Sequence, residues 1–154
     1  MNDQALELVR RWLVMFADGD ITIADDIAAP QYHEHALAPF AAAEPGIVDG
    51  PAHLRSTVGW LRAIYPDLTM HTEAIIGAGG LVAVRVRSAG TNLGAHGPGV
   101  PATGRRFEAT QSHWFRVTDG RLSEHWAVRD DLTTMLQLGL VAPVRAAEPV
   151  PGRG

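Results

Sequence analysis

Asp130 ends the run Glu124-His125-Trp126-Ala127-Val128-Arg129-Asp130, and a carboxyl at the end of an apolar segment can move a proton to or from carbon if water is kept away. Gln111 and His113 stand two residues apart in the same half of the chain, so on a strand both side chains point to one side. An amide can hold a substrate oxygen and an imidazole can give or take a proton. Together the three could serve acid/base chemistry or hold a polar ligand. Other chemistries are poorly supplied. The chain has no cysteine, which excludes thiolate nucleophiles, thiolate metal sites and disulfides. His33-x-His35 offers two ligands without a third, too few for a metal site. The glycine-rich stretch from Gly94 to Gly104 lacks the Gly-Lys-Ser/Thr of a phosphate cradle and reads as a pocket rim.

The elements that must position these groups follow from hydrophobic period. Leu6, Val9, Leu13 and Phe16 recur at helical spacing from Asp3 to Ala17, widened by Ala5, Leu8, Trp12 and Met15, with Asn2 able to cap the start. Thr22 to Ala29 suits a short second helix stopped by Pro30, and a loop rich in alanine and proline runs from Pro39 to Pro45. A third helix fits Pro51 to Tyr65, with proline in its first turn and Pro66 after it. The period then falls to two, which predicts strands over Leu68 to Ile76, Leu81 to Thr91, Arg106 to Val117 and Leu122 to Arg129. Helices first and sheet second mean α+β. A last short helix fits Asp130 to Leu138, closed by Gly139, and the single domain is expected to span residues 1–142, with 143–154 a flexible tail.

Asp119-Gly120 is a strong two-residue hairpin turn, since both positions favour residues that tolerate positive φ. Such a turn sets Val117 against Leu122, Phe115 against Glu124, His113 against Trp126 and Gln111 against Val128. One face then carries Gln111, His113, Phe115, Glu124, Trp126, Val128 and Asp130, and is expected to be concave. Gln111 lies diagonal to Asp130, a separation of about 7–8 Å that a substrate can bridge. Walls such as Trp126, Phe115 and Val128 would raise the pKa of Asp130 towards neutrality. Each group also has a structural reading. Asp130 begins a helix and Asp is a good cap, His113 could be a hydrogen-bonded core histidine, and Glu124 reads best as a structural acid paired with an arginine.

Hydrophobic residues make up 46% of the 154 and charged ones 19%, which is the balance of a globular protein with one core. A net charge of -4, with 13 Lys+Arg in no dense run, gives no field for a phosphate backbone, so nucleic acid is excluded as a partner. Charges interrupt the first apolar stretch, and no run approaches the roughly 20 residues that span a bilayer. The expectation is a soluble cytoplasmic protein with no membrane partner. Trp114 on the outer strand face hints at a homo-oligomer, a dimer or tetramer.

Several of these residues meet a known pattern. Gly90-Thr91, Pro101-Ala102-Thr103-Gly104-Arg105, Phe115-Arg116-Val117, Asp119-Gly120-Arg121, the Glu124-to-Asp130 run and Met135-Leu136-Gln137-Leu138-Gly139 resemble the SnoaL-like polyketide cyclases. In the earlier half Tyr32 with His33 or His35, Gly50 and Tyr65-Pro66-Asp67 occur in the family's order, while Asn92 stands where the family often has histidine. The resemblance implies a nuclear-transport-factor-2-like fold, a curved antiparallel sheet wrapped into a cone with helices closing an apolar pocket. It also implies no cofactor, a hydrophobic polycarbonyl substrate and an intramolecular aldol condensation. Asp130 matches the family's acid/base, with His113 or His35 as proton donor, and Gln111, Trp126, Phe115, Tyr32 and Asn92 are expected to contact substrate. Two other functions share the scaffold: a module that only binds an apolar ligand, and an epoxide hydrolase or ketosteroid-isomerase-like enzyme.

Overall fold

A computed structural model describes residues 3–36 and 49–144. The expected cap at Asn2, the loop from Pro39 to Pro45 and the tail beyond residue 144 lie outside the described residues. Helix α1 (Asp3–Asp18) buries all eight of its predicted apolar positions. It is followed by α2 (Ile23–Ile27), β1 (Ala28–Glu34), α3 (Gly50–Ile64), β2 (Thr69–Ala78), β3 (Leu81–Thr91), β4 (Arg106–Thr118), β5 (Arg121–Arg129) and α4 (Asp131–Leu138). The strands form one curved sheet in the order β1-β5-β4-β3-β2. The helices pack on its concave side, where Trp12, Phe16, Tyr32, Leu54, Val84 and Phe115 belong to the main core. Burying one such side chain stabilises the fold by roughly 1.5–3 kcal/mol. A second cluster, with Ile64, Tyr65, Phe107 and Leu138, lies beside α4. None of the described helices is long and apolar enough to cross a membrane.

Two features depart from the sequence expectation. The second helix ends at Ile27, and the chain enters a fifth strand, β1, parallel to β5. Pro30 does not forbid that strand because β1 is the sheet's edge, where a missing N–H costs no ladder bond. The other departure concerns the hairpin. Asp119 and Gly120 do form a two-residue turn with φ of 49° and 72°, and Val117 does pair with Leu122. The next pair, however, is Arg116 with Glu124, so Ser123 is an extra residue, a β-bulge whose hydroxyl contacts the Arg116 carbonyl at 3.3 Å.

Beyond the bulge every β5 side chain is on the opposite face from the one expected. Phe115 pairs with His125, His113 with Ala127 and Gln111 with Arg129, and residues directly opposite share a face. The inner face therefore carries His125 and Arg129. Glu124, Trp126 and Val128 lie outside with Ser112, Trp114 and Arg116. Exposure agrees, with Val128 73% exposed and His125 3%.

The glycine-rich stretch after β3 is pinned to the end of α3, where the amides of Leu93 and Gly94 both donate to the Ile64 carbonyl. A Cβ on Gly94 would lie 2.2 Å from the Ala63 carbonyl oxygen, a backbone atom that cannot swing aside. Gly94→Ala is expected to cost about 1–3 kcal/mol through overpacking. For a chain of this size that lowers the melting temperature by roughly 2–10 °C, read by thermal denaturation. An unchanged midpoint would mean the loop is not clamped there.

Candidate active site

Between the sheet, α3 and α4 lies a cavity of about 160 Å³, open to solvent and walled largely by Phe16, Trp60, Leu61, Met70, Phe107 and Leu138. Its polar groups gather at two places. At the first, Gln111 and His113 of β4 meet His125 and Arg129 of β5 and Glu34 from the end of β1. His113 Nε2 is 2.9 Å from Gln111 Oε1, and His113 Nδ1 is 3.0 Å from His125 Nε2. His125 Nδ1 is 2.6 Å from Glu34 Oε2. Burial, then the nearby charges of His125 and Arg129, hold His113 well below the ordinary imidazole pKa, so the ring is neutral. A neutral imidazole in a cavity wall can polarise a carbonyl if the substrate oxygen takes over one of its hydrogen bonds.

The second place is formed by Tyr65 and His96, with the hydroxyl 2.6 Å from Nε2. Burial, then the charge of Asp131, pushes the Tyr65 pKa up to about 12, and burial lowers that of His96. Both are neutral at ordinary pH, so the pair offers hydrogen bonds without charge.

Of the residues expected at the site, Gln111 and His113 line the cavity. The others lie elsewhere. Asp130 is exposed and caps α4, its Oδ1 accepting from the Thr133 amide at 3.0 Å. Hydrogen bonds from Thr133 hold its carboxyl below the usual carboxylate range, where a raised pKa was expected. The apolar walls expected around it are absent, since Trp126 and Val128 are on the outer face and Phe115 is fully buried in the core. Its neighbours on both sides, Arg129 and Asp131, do line the cavity.

His35 is on the outer side, its Nε2 2.9 Å from Glu124 Oε2, stacked on Trp126 with ring centroids 4.6 Å apart. Glu124 also takes the Arg116 Nε at 3.0 Å, which is the arginine pairing expected of it. Its pKa is lowered, first by the hydrogen bond from His35. Asn92 is fully buried and tied into the glycine-rich loop: its amide group donates to the Gly94 carbonyl, and its oxygen accepts from the Thr103 amide and hydroxyl. It touches loop, not cavity. Tyr32 is buried behind the wall and donates to Glu34 Oε2 at 3.3 Å, so it orients that carboxylate.

The sequence reading missed Glu34, His125, Arg129, Asp131, Tyr65 and His96 as lining groups. His125 and Arg129 were lost with the strand phase, and Glu34 with the strand that Pro30 concealed. Tyr65 and Asp67 did carry a signal, the Tyr65-Pro66-Asp67 motif. Tyr65 supplies the cavity hydroxyl, and Asp67 accepts from the Thr91 amide and hydroxyl, each at 2.7 Å, fastening the end of β3.

Comparison with known proteins shows the family. Residues 6–138 match the model of the SnoaL-like polyketide cyclases. Aklanonic acid methyl ester cyclase DauD of Streptomyces sp. (strain C5) is 33% identical over 87% of this chain and 81% of its own length. Nogalonic acid methyl ester cyclase of Streptomyces nogalater is 33% identical over 80% of this chain and 89% of its own. Among solved structures, wild-type IdmH from Streptomyces antibioticus superposes with a TM-score of 0.73 at 33% identity, covering 88% of this chain and 99% of that one. With its curved sheet, its helices over the concave face and the match from residue 6 to 138, the chain belongs to the SnoaL-like polyketide cyclase family.

Proposed function

We propose that the chain closes a ring by intramolecular aldol addition within a hydrophobic polycarbonyl ester of the kind named for its relatives. The observation that supports it most is a neutral hydrogen-bonding pair, half-buried Gln111 and buried His113, opening onto an apolar cavity. A pocket that merely held an apolar ligand would have no need of buried polar groups, which are costly unless partnered or used.

In this reading Asp130 removes a proton from a methylene flanked by carbonyls. For this its carboxyl must give up the cap bond to Thr133 and turn towards the cavity that its neighbours Arg129 and Asp131 line. Asp130 is exposed, so no packing is lost, and the cap bond is worth about 1 kcal/mol, which substrate binding can offset. The enolate carbon attacks a second carbonyl, a C–C bond forms as the C=O π bond breaks, and the new alkoxide takes a proton from His113 Nε2. The proton held by Asp130 leaves to solvent, which refills His113. Product and substrate are isomers.

Incubation with aklanonic acid methyl ester followed by chromatography and mass spectrometry is expected to give a new species of unchanged mass. A compound that binds yet emerges unaltered would reject that ester as substrate. Failure with nogalonic acid methyl ester as well would reject the reaction.

A further inference from the structure

Glu34, His125 and His113 form one hydrogen-bonded chain in the cavity wall. Its end is oriented, because Glu34 Oε1 accepts the Ala36 amide at 2.9 Å while Oε2 takes the Tyr32 hydroxyl. The Glu34 and His125 side chains are 9% and 4% exposed, and His53 Nε2 of α3 lies 3.9 Å from Glu34 Oε2. Arg129 and His125 from β5, Trp12 from α1 and Gln111 on its own strand surround His113.

The protons in this chain can be counted. Gln111 Oε1 accepts, so His113 Nε2 carries hydrogen, and His113 Nδ1 must accept from His125 Nε2–H because the ring is neutral. One more proton then lies in the 2.6 Å contact between His125 Nδ1 and Glu34 Oε2. When His113 gives up its Nε2 proton, His125 can pass its own to His113 Nδ1 and remain neutral, with Glu34 a carboxylate. Gln111 serves both states, since its amide can accept from Nε2–H or donate to the bare nitrogen.

We infer that Glu34 and His125 are positioning residues that store one proton and deliver it through His113 to the substrate oxygen. This rests on the cyclase reading above. The delivery is balanced: the substrate alkoxide gains the proton, the three-residue unit loses one positive charge, and solvent restores it after product leaves.

The test is ¹⁵N NMR of His113 as pH rises, in the wild type and in Glu34→Gln. In the wild type, loss of the stored proton moves the hydrogen on His113 from Nε2 to Nδ1. In Glu34→Gln the side-chain oxygen stays on the Ala36 amide, which sets its NH₂ against His125 Nδ1 and keeps His113 as the Nε2–H tautomer throughout. The variant should lose about 10²-fold in kcat, within the range of general acid/base catalysis, with KM altered by less than about twofold. A wild-type tautomer that never switches, an identical switch in the variant, or an unaltered kcat would each overturn the proposal. The wild-type titration needs no variant to fold. It also needs no substrate, so a wild type that switches but closes no ring would overturn the cyclase reading and leave the proton store standing.

Discussion

Asp130→Asn is expected to lower turnover by about 10²–10⁴-fold, the usual contribution of a general base. Its melting temperature should scarcely move, because asparagine caps a helix as well as aspartate does. The separation of activity from stability is what makes the variant informative. As the residue stands, its carboxyl is held by Thr133 and its pKa is lowered, both of which make it a weak base. It becomes an effective one only by leaving the cap, and substrate analogues should therefore weaken protection of the Thr133 amide in hydrogen exchange. Asp131→Asn is the control, since Asp131 already lines the cavity and contacts Arg129 Nε at 3.4 Å. If that variant lost the activity and Asp130→Asn kept it, the working carboxylate would be the one on the wall and the rotation would be wrong.

The second large effect is expected at His113. His113→Phe keeps a ring of similar size among Trp12, Phe115 and His125 but removes the ring nitrogen that meets Gln111 at the cavity. A loss of about 10²-fold or more in kcat is expected, at the level of removing one preorganised donor to a developing oxyanion. Adding Glu34→Gln to His113→Phe should then cost almost nothing further, because groups that act as one unit are not additive. Steady-state kinetics on the four proteins of that cycle decide it. Multiplying losses would mean that the carboxylate and the imidazole act separately.

Much of the scaffold was legible in the residues. The stripe of α1, the proline at the start of α3, the fall of the period to two and the Asp119-Gly120 turn each dictate their element through local sterics and spacing alone. The inner positions of β4 could also be read, which is why Gln111 and His113 lie where expected. β5 could not. Its phase depends on the extra residue at Ser123, and a single inserted residue carries every later side chain to the other face. No composition cue marks the bulge, since alternation in either phase leaves a mixed face. β1 was hidden for a different reason: Pro30 is a stop signal only where an N–H is needed, and edge position is a property of the whole sheet. Asp130 had two readings at the outset, and the cap is the one its resting conformation adopts.

Tyr65 packs on Phe107, ring centroids 5.0 Å apart, while Gln111 lies four residues further along the same strand, about 13 Å at the ordinary rise. The pocket thus carries hydrogen-bonding groups at two places along its length, with apolar wall between them. Compounds that carry oxygens at only one end, or that are too short to touch both places, would slide along it, and a sliding substrate seldom presents the same carbon twice. Selection by length would then precede any chemistry.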